Sequence, residues 1–191
     1  MKGQWCYWKS YFTPEYCNEI INKAKETLPV QQATVYGNNT GSGVNETARK
    51  SYVRWIRNTE PWTELFKTME TVTKRSNDDW FNLDYNELSS IQFTEYDAAY
   101  QGQFKMHQDV LWMSAEPLQR KLTFVIQLSD PNTYQGGDLT FQHLNQYPAT
   151  EEIRAQGTVI FFPSLFFHQA NALTEGTRYS LVGWWNGPHW R

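Results

Sequence analysis

Apolar positions along the first third of the chain recur at helical spacing. Thr13-Pro14-Glu15 reads as an N-cap, a first-turn proline and an early carboxylate, and Cys17, Ile20, Ile21, Ala24 and Leu28 follow on one face. The spacing predicts a helix over residues 14–28, ended by Pro29. A second start at Thr59-Glu60-Pro61 leads into Trp62, Leu65, Phe66, Met69 and Val72, up to the polar run at 74–79. Between the two helices, residues 37–47 are rich in Gly, Asn and Ser and read as a loop.

From residue 88 the period shortens to that of strands, predicted at residues 88–96, 103–109, 121–128, 138–142, 158–162, 165–169 and 178–185. Turn chemistry separates them at Ser129-Asp130-Pro131-Asn132, Gln135-Gly136-Gly137 and Glu175-Gly176. Many short strands in succession imply a sandwich or barrel, with the early helices packed outside one sheet. The fold class expected is mainly β with N-terminal helices (α+β).

Composition narrows this picture. A chain of 191 residues suits one domain, read as a helical support region with a loop over 1–87 and a β core over 88–186. Nine Trp, eleven Tyr and eleven Phe favour a β-rich core over an aromatic ligand platform. A formal charge of −3 gives no attraction to phosphate backbones, so nucleic acid is not expected as a partner. No apolar stretch follows Met1, and the longest apolar run, 158–167, is broken by Pro163, so no membrane span is expected. Two cysteines are too few for a disulfide framework, and a reducing, cytoplasmic setting is the simpler reading.

The candidate chemistry lies in the β region. In His107-Gln108-Asp109, residues i and i+2 of a strand share a face, so one strand presents an imidazole and a carboxylate together. The pattern alone also describes a solvated His and Asp. Further on, the apolar strand Gly157 to Pro163 is followed by Leu165-Phe166-Phe167-His168, which surrounds a histidine with apolar neighbours. A single such histidine is more often structural than a ligand. Two histidines and a carboxylate together make a facial triad that leaves positions open on Fe(II). Ten residues beyond His168 lies Arg178, on an otherwise apolar strand that gains little from a buried guanidinium unless an anion meets it.

The order Tyr96, His107-x-Asp109, Gly136-Gly137-x-Leu139, Gly157-Thr158-x-x-x-Phe162-Pro163, His168, Arg178 resembles the prolyl 4-hydroxylase-type branch of 2-oxoglutarate/Fe(II) oxygenases, especially small bacterial and phage hydroxylases. The match is close over 88–186, while Pro14-Glu15-x-Cys17 and Arg49-Lys50-Ser51 resemble the helical N-terminal portion of the same group. The resemblance implies a double-stranded β-helix, or cupin-like jelly roll, with iron on His107, Asp109 and His168. It implies Fe(2+), 2-oxoglutarate and O2 as the reacting set, with ascorbate as a reductant, and Arg178 on the far carboxylate of 2-oxoglutarate. Tyr96 matches a tyrosine near the co-substrate, with Tyr100 as the alternative. Gln127, on one strand face with Thr123 and Val125, matches a position supporting that carboxylate, and Trp184 resembles a bulky residue near the metal.

The implied activity is hydroxylation of a peptidyl, prolyl-like substrate with release of succinate and CO2, by a monomer or homodimer. Asp109 favours hydroxylation over halogenation, and Trp184 stands where base-repair dioxygenases carry a second arginine. The competing readings are a non-catalytic metal- or ligand-binding barrel, a purely structural jelly roll, and an oxygenase acting on a small molecule or nucleobase. The 37–50 loop and Trp112 are the candidate substrate-side elements.

Overall fold

A computed structural model describes residues 2–37, 41–110, 112 and 115–191 of the chain. In chain order the strands are β1 (Cys6–Trp8), β2 (Gln31–Gln32), β3 (Val35–Gly37), β4 (Gly41–Gly43), β5 (Arg49–Lys50), β6 (Tyr52–Ile56) and β7 (Ile91–Asp97). There follow β8 (Gln103–His107), β9 (Gln119–Gln127), β10 (Tyr134–Gly136), β11 (Leu139–Phe141), β12 (Val159–Pro163), β13 (His168–Ala170) and β14 (Leu173–Gly187). The α-helices are α1 (Pro14–Thr27), α2 (Thr63–Ser76) and α3 (Thr150–Arg154).

Among the described residues the strands form an eight-stranded sheet, β1-β12-β9-β14-β7-β6-β2 with β10 joined to β14, a four-stranded sheet, β11-β13-β8-β5, and a two-stranded β3-β4 pair. All their pairings are antiparallel. The strand period of two divides the larger sheet into two faces. Leu122, Phe124 and Ile126 of β9, with Leu181 and Trp185 of β14, pack against Cys17, Ile20 and Ala24 of α1 and Leu65, Phe66 and Met69 of α2. The helices therefore cover one face, as the apolar spacing predicts. Fully burying a large side chain such as Phe93, Phe124 or Phe161 contributes about 1.5–3 kcal/mol each. Residues of the opposite face, Val125 and Ile160, meet Leu139 and Phe141 of the smaller sheet, so the two sheets close around an interior.

Gly183 sits between Leu181 and Trp185, and a Cβ there would strike the ring of Phe124 on the neighbouring strand. A side chain is excluded where that ring crosses the backbone.

The structure corrects several expectations. Thr13 caps α1 as predicted, its hydroxyl accepting from Tyr16 N at 3.3 Å. The second helix, however, starts at Thr63, not at Pro61. Pro61 lies in the turn that delivers Trp62 to the core, closed by Trp62 N donating to Thr59 O at 2.8 Å. The polar run at 74–79 is not an end either, because the chain continues into a π-helical turn, Asn77–Phe81. Its charges form i,i+4 pairs, Lys74–Asp78 and Arg75–Asp79, on the solvent side while Asn77 and Phe81 turn inward.

Residues 1–87 are not only helical. They supply β1 and β6 to the larger sheet and β5 to the smaller one. These strands are two to five residues long, and β6 hides its alternation by carrying Arg54, which pairs with Glu95 at 3.1 Å. The last strand is longer than predicted: β14 runs through the expected Glu175-Gly176 turn, where Gly176 takes φ +69 and pairs with Tyr134 of β10.

Candidate metal and co-substrate site

β13 lies against β8 with His168 directly opposite His107. Asp109, two residues beyond the end of β8, is fixed by its amide donating to Ser164 O at 2.9 Å. This register converts a sequence separation of 61 residues, from His107 to His168, into a cluster whose ligand atoms all lie within 4.8 Å of one another. Asp109 Oδ1 is 3.6 Å from His107 Nε2, and Oδ2 is 3.4 Å from His168 Nε2.

Both imidazoles are oriented by the same device. His107 Nδ1 donates to Lys105 O at 2.7 Å and His168 Nδ1 to Phe166 O at 3.0 Å, in each case the carbonyl two residues earlier. A carbonyl only accepts, so each Nδ1 carries the proton and each Nε2 keeps its lone pair for the cluster. Ring packing fixes the planes. His107 stacks on Phe104 with centroids 3.5 Å apart and planes inclined by 15°. His168 lies 4.6 Å from Phe162.

The carboxylate is held from the other sheet. Thr123 Oγ1 donates to Asp109 Oδ2 at 2.8 Å and is itself 2.9 Å from Ser164 Oγ. Arg120 Nη1 stands 3.9 Å from Oδ1. Burial alone pushes the Asp109 carboxyl up, but His168, His107 and Arg120 together carry it below the ordinary carboxylate range. Burial pushes His168 down to about 4, against the attraction of Asp109. At neutral pH the cluster thus offers an anionic carboxylate and a neutral imidazole, the protonation states that a divalent ion requires.

The same pocket, with about 430 Å³ of empty space counting its open mouth, is lined by residues of both sheets, Arg178 among them. Arg178 is 2% exposed and sits opposite Tyr96 in the β14–β7 register. Its Nη2 donates to Gln127 Oε1 at 2.8 Å and its Cζ lies 5.5 Å from the Tyr96 ring centroid. Among the described residues, Arg178 Nε has no hydrogen-bond partner. A buried donor left unpaired costs about 1–3 kcal/mol, and an entering carboxylate removes that cost. Gly137 makes room for this side chain: with φ +68, a Cβ there would lie 3.1 Å from Arg178 Cδ. The donor set, two imidazoles and a carboxylate with an unsatisfied guanidinium in the same cavity, fits a divalent iron and an anionic chelator.

Tyr96 and Trp184 line the cavity. Thr123 and Gln127 act one layer out, on Asp109 and Arg178. Tyr100 does not take the alternative role, since its hydroxyl donates to Glu95 O at 3.2 Å and its ring packs edge-on against Tyr52. Trp112 is exposed, its Nε1 donating to Gln108 Oε1 at 3.1 Å. Of the 37–50 loop, residues 38–40 lie outside the described residues.

Sequence reasoning missed Arg49 and Gln92, which line the cavity, and Arg120, which approaches Asp109. Arg49 does not belong to a helical portion: it is buried on β5, its Nε donating to Ser51 Oγ at 2.8 Å and its Nη2 to Gln92 Oε1 at 2.6 Å. The signal available was the i, i+2 pair Arg49 and Ser51, too short to declare a strand.

The model of the 2OG-Fe(II) oxygenase superfamily matches residues 91–186. A PKHD-type hydroxylase of Prochlorococcus marinus is 37% identical over 82 residues, a stretch that covers 42% of this chain and 35% of that protein. The chain thus spans about a third of that relative's length. Among solved structures, a prolyl-4-hydroxylase of Pseudomonas putida superimposes with a TM-score of 0.70 at 16% identity, covering 98% of this chain and 94% of the other. A prolyl hydroxylase of Trichoplax adhaerens, in complex with a hypoxia inducible factor oxygen degradation domain peptide fragment, gives 0.71 at 14% identity, covering 96% and 83%. These likenesses identify the fold as the double-stranded β-helix. With the match extending over half of its length and across every strand from β7 to the end of the site, the chain belongs to the 2OG-Fe(II) oxygenase superfamily, whose reaction uses Fe(2+), 2-oxoglutarate and O2.

Proposed function

We propose that this protein hydroxylates a prolyl-like side chain in a peptide, with His107, Asp109 and His168 holding Fe(2+) and Arg178 holding the far carboxylate of 2-oxoglutarate. The observation that carries the reading is the presence, in one buried cavity, of three convergent ligand atoms and an arginine with an unpaired Nε. When bound, the iron with 2-oxoglutarate and O2 supplies the oxidation: the keto acid is converted to succinate and CO2 while one oxygen atom enters a substrate C–H bond.

The chain's own residues do the rest. Thr123 and the two backbone carbonyls aim the ligands, and Gln127 aims Arg178. Tyr96 walls the co-substrate end, while Trp184 and Val182 keep an apolar surface beside the reacting centre. The prolyl-like assignment is supported by the names of the relative and the structural neighbours, one of which holds a peptide. Asp109 favours hydroxylation, because halide binding at iron needs that carboxylate's position. We also read the chain as one catalytic domain, since β1, β2 and β6 extend the sheet that carries Arg178. Ascorbate is assigned as reductant for iron oxidised in unproductive cycles. Among the described residues no helix is long and apolar enough to cross a membrane, and the two buried free thiols, Cys6 and Cys17, suit a reducing cytoplasm.

The test is anaerobic addition of Fe(II) and 2-oxoglutarate, which should produce the weak visible charge-transfer band of the chelate, followed by succinate release in air. Folded protein without the band refutes the reading. A gain of 16 mass units, expected for one oxygen atom, on a proline-containing peptide tests the substrate class.

A further inference from the structure

The cavity holds more positive charge than the proposed chemistry uses, and we propose that the prime substrate presents a carboxylate to Arg49 and Arg120. The inference rests on the proposed function and names the class of group its substrate carries. Arg178 and Arg49 line the cavity, and a third guanidinium, Arg120, reaches the triad at its edge, beside Asp109. An iron(II) ion and dianionic 2-oxoglutarate cancel each other, and Asp109 offsets one arginine. Two positive charges remain, whichever arginine takes the far carboxylate of the co-substrate.

Arg49 is the clearest case. It is 6% exposed, and the groups that touch it are neutral: Ser51, Gln92, the Tyr96 hydroxyl and the face of Phe104, 4.6 Å from Cζ, with Asp109 acting on it from farther away. Among the described residues no carboxylate lies within ion-pair distance of it. A buried cation with neutral partners is costly unless an anion arrives. Arg120 lies over Trp184, Cζ 3.7 Å from the ring centroid, and among the described residues its one ion pair is with the carboxylate that the metal would also use. Trp184, 9% exposed, has an Nε1 without a hydrogen-bond partner among the described residues. The wall therefore offers charged donors, while Gln92 and Asp109 are already engaged and the hydroxyls of Tyr96 and Ser180 carry no charge. A neutral peptide carbonyl would satisfy a donor but leave the charge; a carboxylate satisfies both.

The test uses anaerobic protein with Fe(II) and 2-oxoglutarate, titrated with N-acetyl amino acids as free acids and as matching primary amides. Binding is read by tryptophan fluorescence, to which Trp184 contributes, and by stimulation of succinate release in air. At least one acid should bind about tenfold or more tightly than its amide. That preference should fall below about twofold in Arg49→Gln or Arg120→Gln and return in part in Arg49→Lys. Preference among the free acids assigns a main-chain carboxylate. Preference for N-acetyl-aspartate amide or N-acetyl-glutamate amide over the asparagine and glutamine amides assigns an acidic side chain. Equal binding of acids and amides across the panel, or a preference that survives both Gln variants, overturns the proposal. A normal chelate band with no acid preference removes this inference alone, whereas a missing band in the unaltered protein removes the function beneath it as well.

Discussion

Thr123 donates its hydroxyl to Asp109 Oδ2 over 2.8 Å, so a strand of the larger sheet fixes a carboxylate carried by the smaller one. Thr123→Val keeps the shape and removes the donor. Partners of this kind are worth about 10–100-fold in metal affinity. The variant should fold normally and need correspondingly more Fe(II) for half-maximal succinate release; an unchanged iron requirement would show that Thr123 only fills space.

Gln127 and Arg178 form the matching pair at the other end of the cavity. Arg178→Met should abolish measurable binding of 2-oxoglutarate, because the far carboxylate then enters a buried space without its cation. Gln127→Leu leaves the charge but frees the guanidinium to swing. Its KM for 2-oxoglutarate should rise about tenfold, the order expected for one hydrogen bond to a charged group, with a smaller change in kcat. Initial rates across a range of 2-oxoglutarate concentrations separate the two parameters.

The acid side of the stability profile of metal-free protein follows from His168. Its folded-state value is pushed down to about 4 from 6.5 by burial, so between those pH values the unfolded chain takes up a proton that the native state refuses. Stability should therefore fall as pH drops from about 6.5 towards 4, by up to about 1.4 kcal/mol per pH unit. Asp109, held below its ordinary 3.8, adds to the loss in the same direction at still lower pH. Urea unfolding at pH 7, 6 and 5 reads the slope, and His168→Asn should flatten it.

Gly183→Ala tests the core behind the site. The added methyl meets the Phe124 ring and forces either the ring or β14 to move. Overpacking of this kind costs about 1–3 kcal/mol, and each kcal/mol lowers Tm by about 2–4 °C in a domain of this size. Calorimetry should show that drop; an unaltered Tm would mean the ring relocates freely.

Much of the site was legible before the fold because strand periodicity and residue chemistry agree there. His107 and Asp109 share a strand face by their spacing, and the apolar run before His168 announces a buried strand. Arg178 stood out as a charge where burial demanded a partner. What sequence could not supply was pairing across distance: nothing local says that Arg49 lies beside Phe104, or that Arg120 lies on Trp184. β1, β2, β5 and β6 escaped notice because strands of two to five residues carry too few alternations to rise above loop composition. Their hydrogen-bond partners lie far along the chain, and only tertiary register defines them.

The carbonyls of Lys105 and Phe166, which set the tautomers of His107 and His168, have a consequence for how this chain can vary. Every amino acid brings the same carbonyl, so neither position needs a particular side chain to keep the imidazole nitrogens correctly assigned. Mutation at 105 or 166 can alter the surroundings of the site, its charge or its bulk, without reversing which nitrogen faces the cluster. The protein can thus drift in sequence next to its most demanding chemistry while the instruction that matters stays in the main chain, beyond the reach of any codon change that preserves the backbone path.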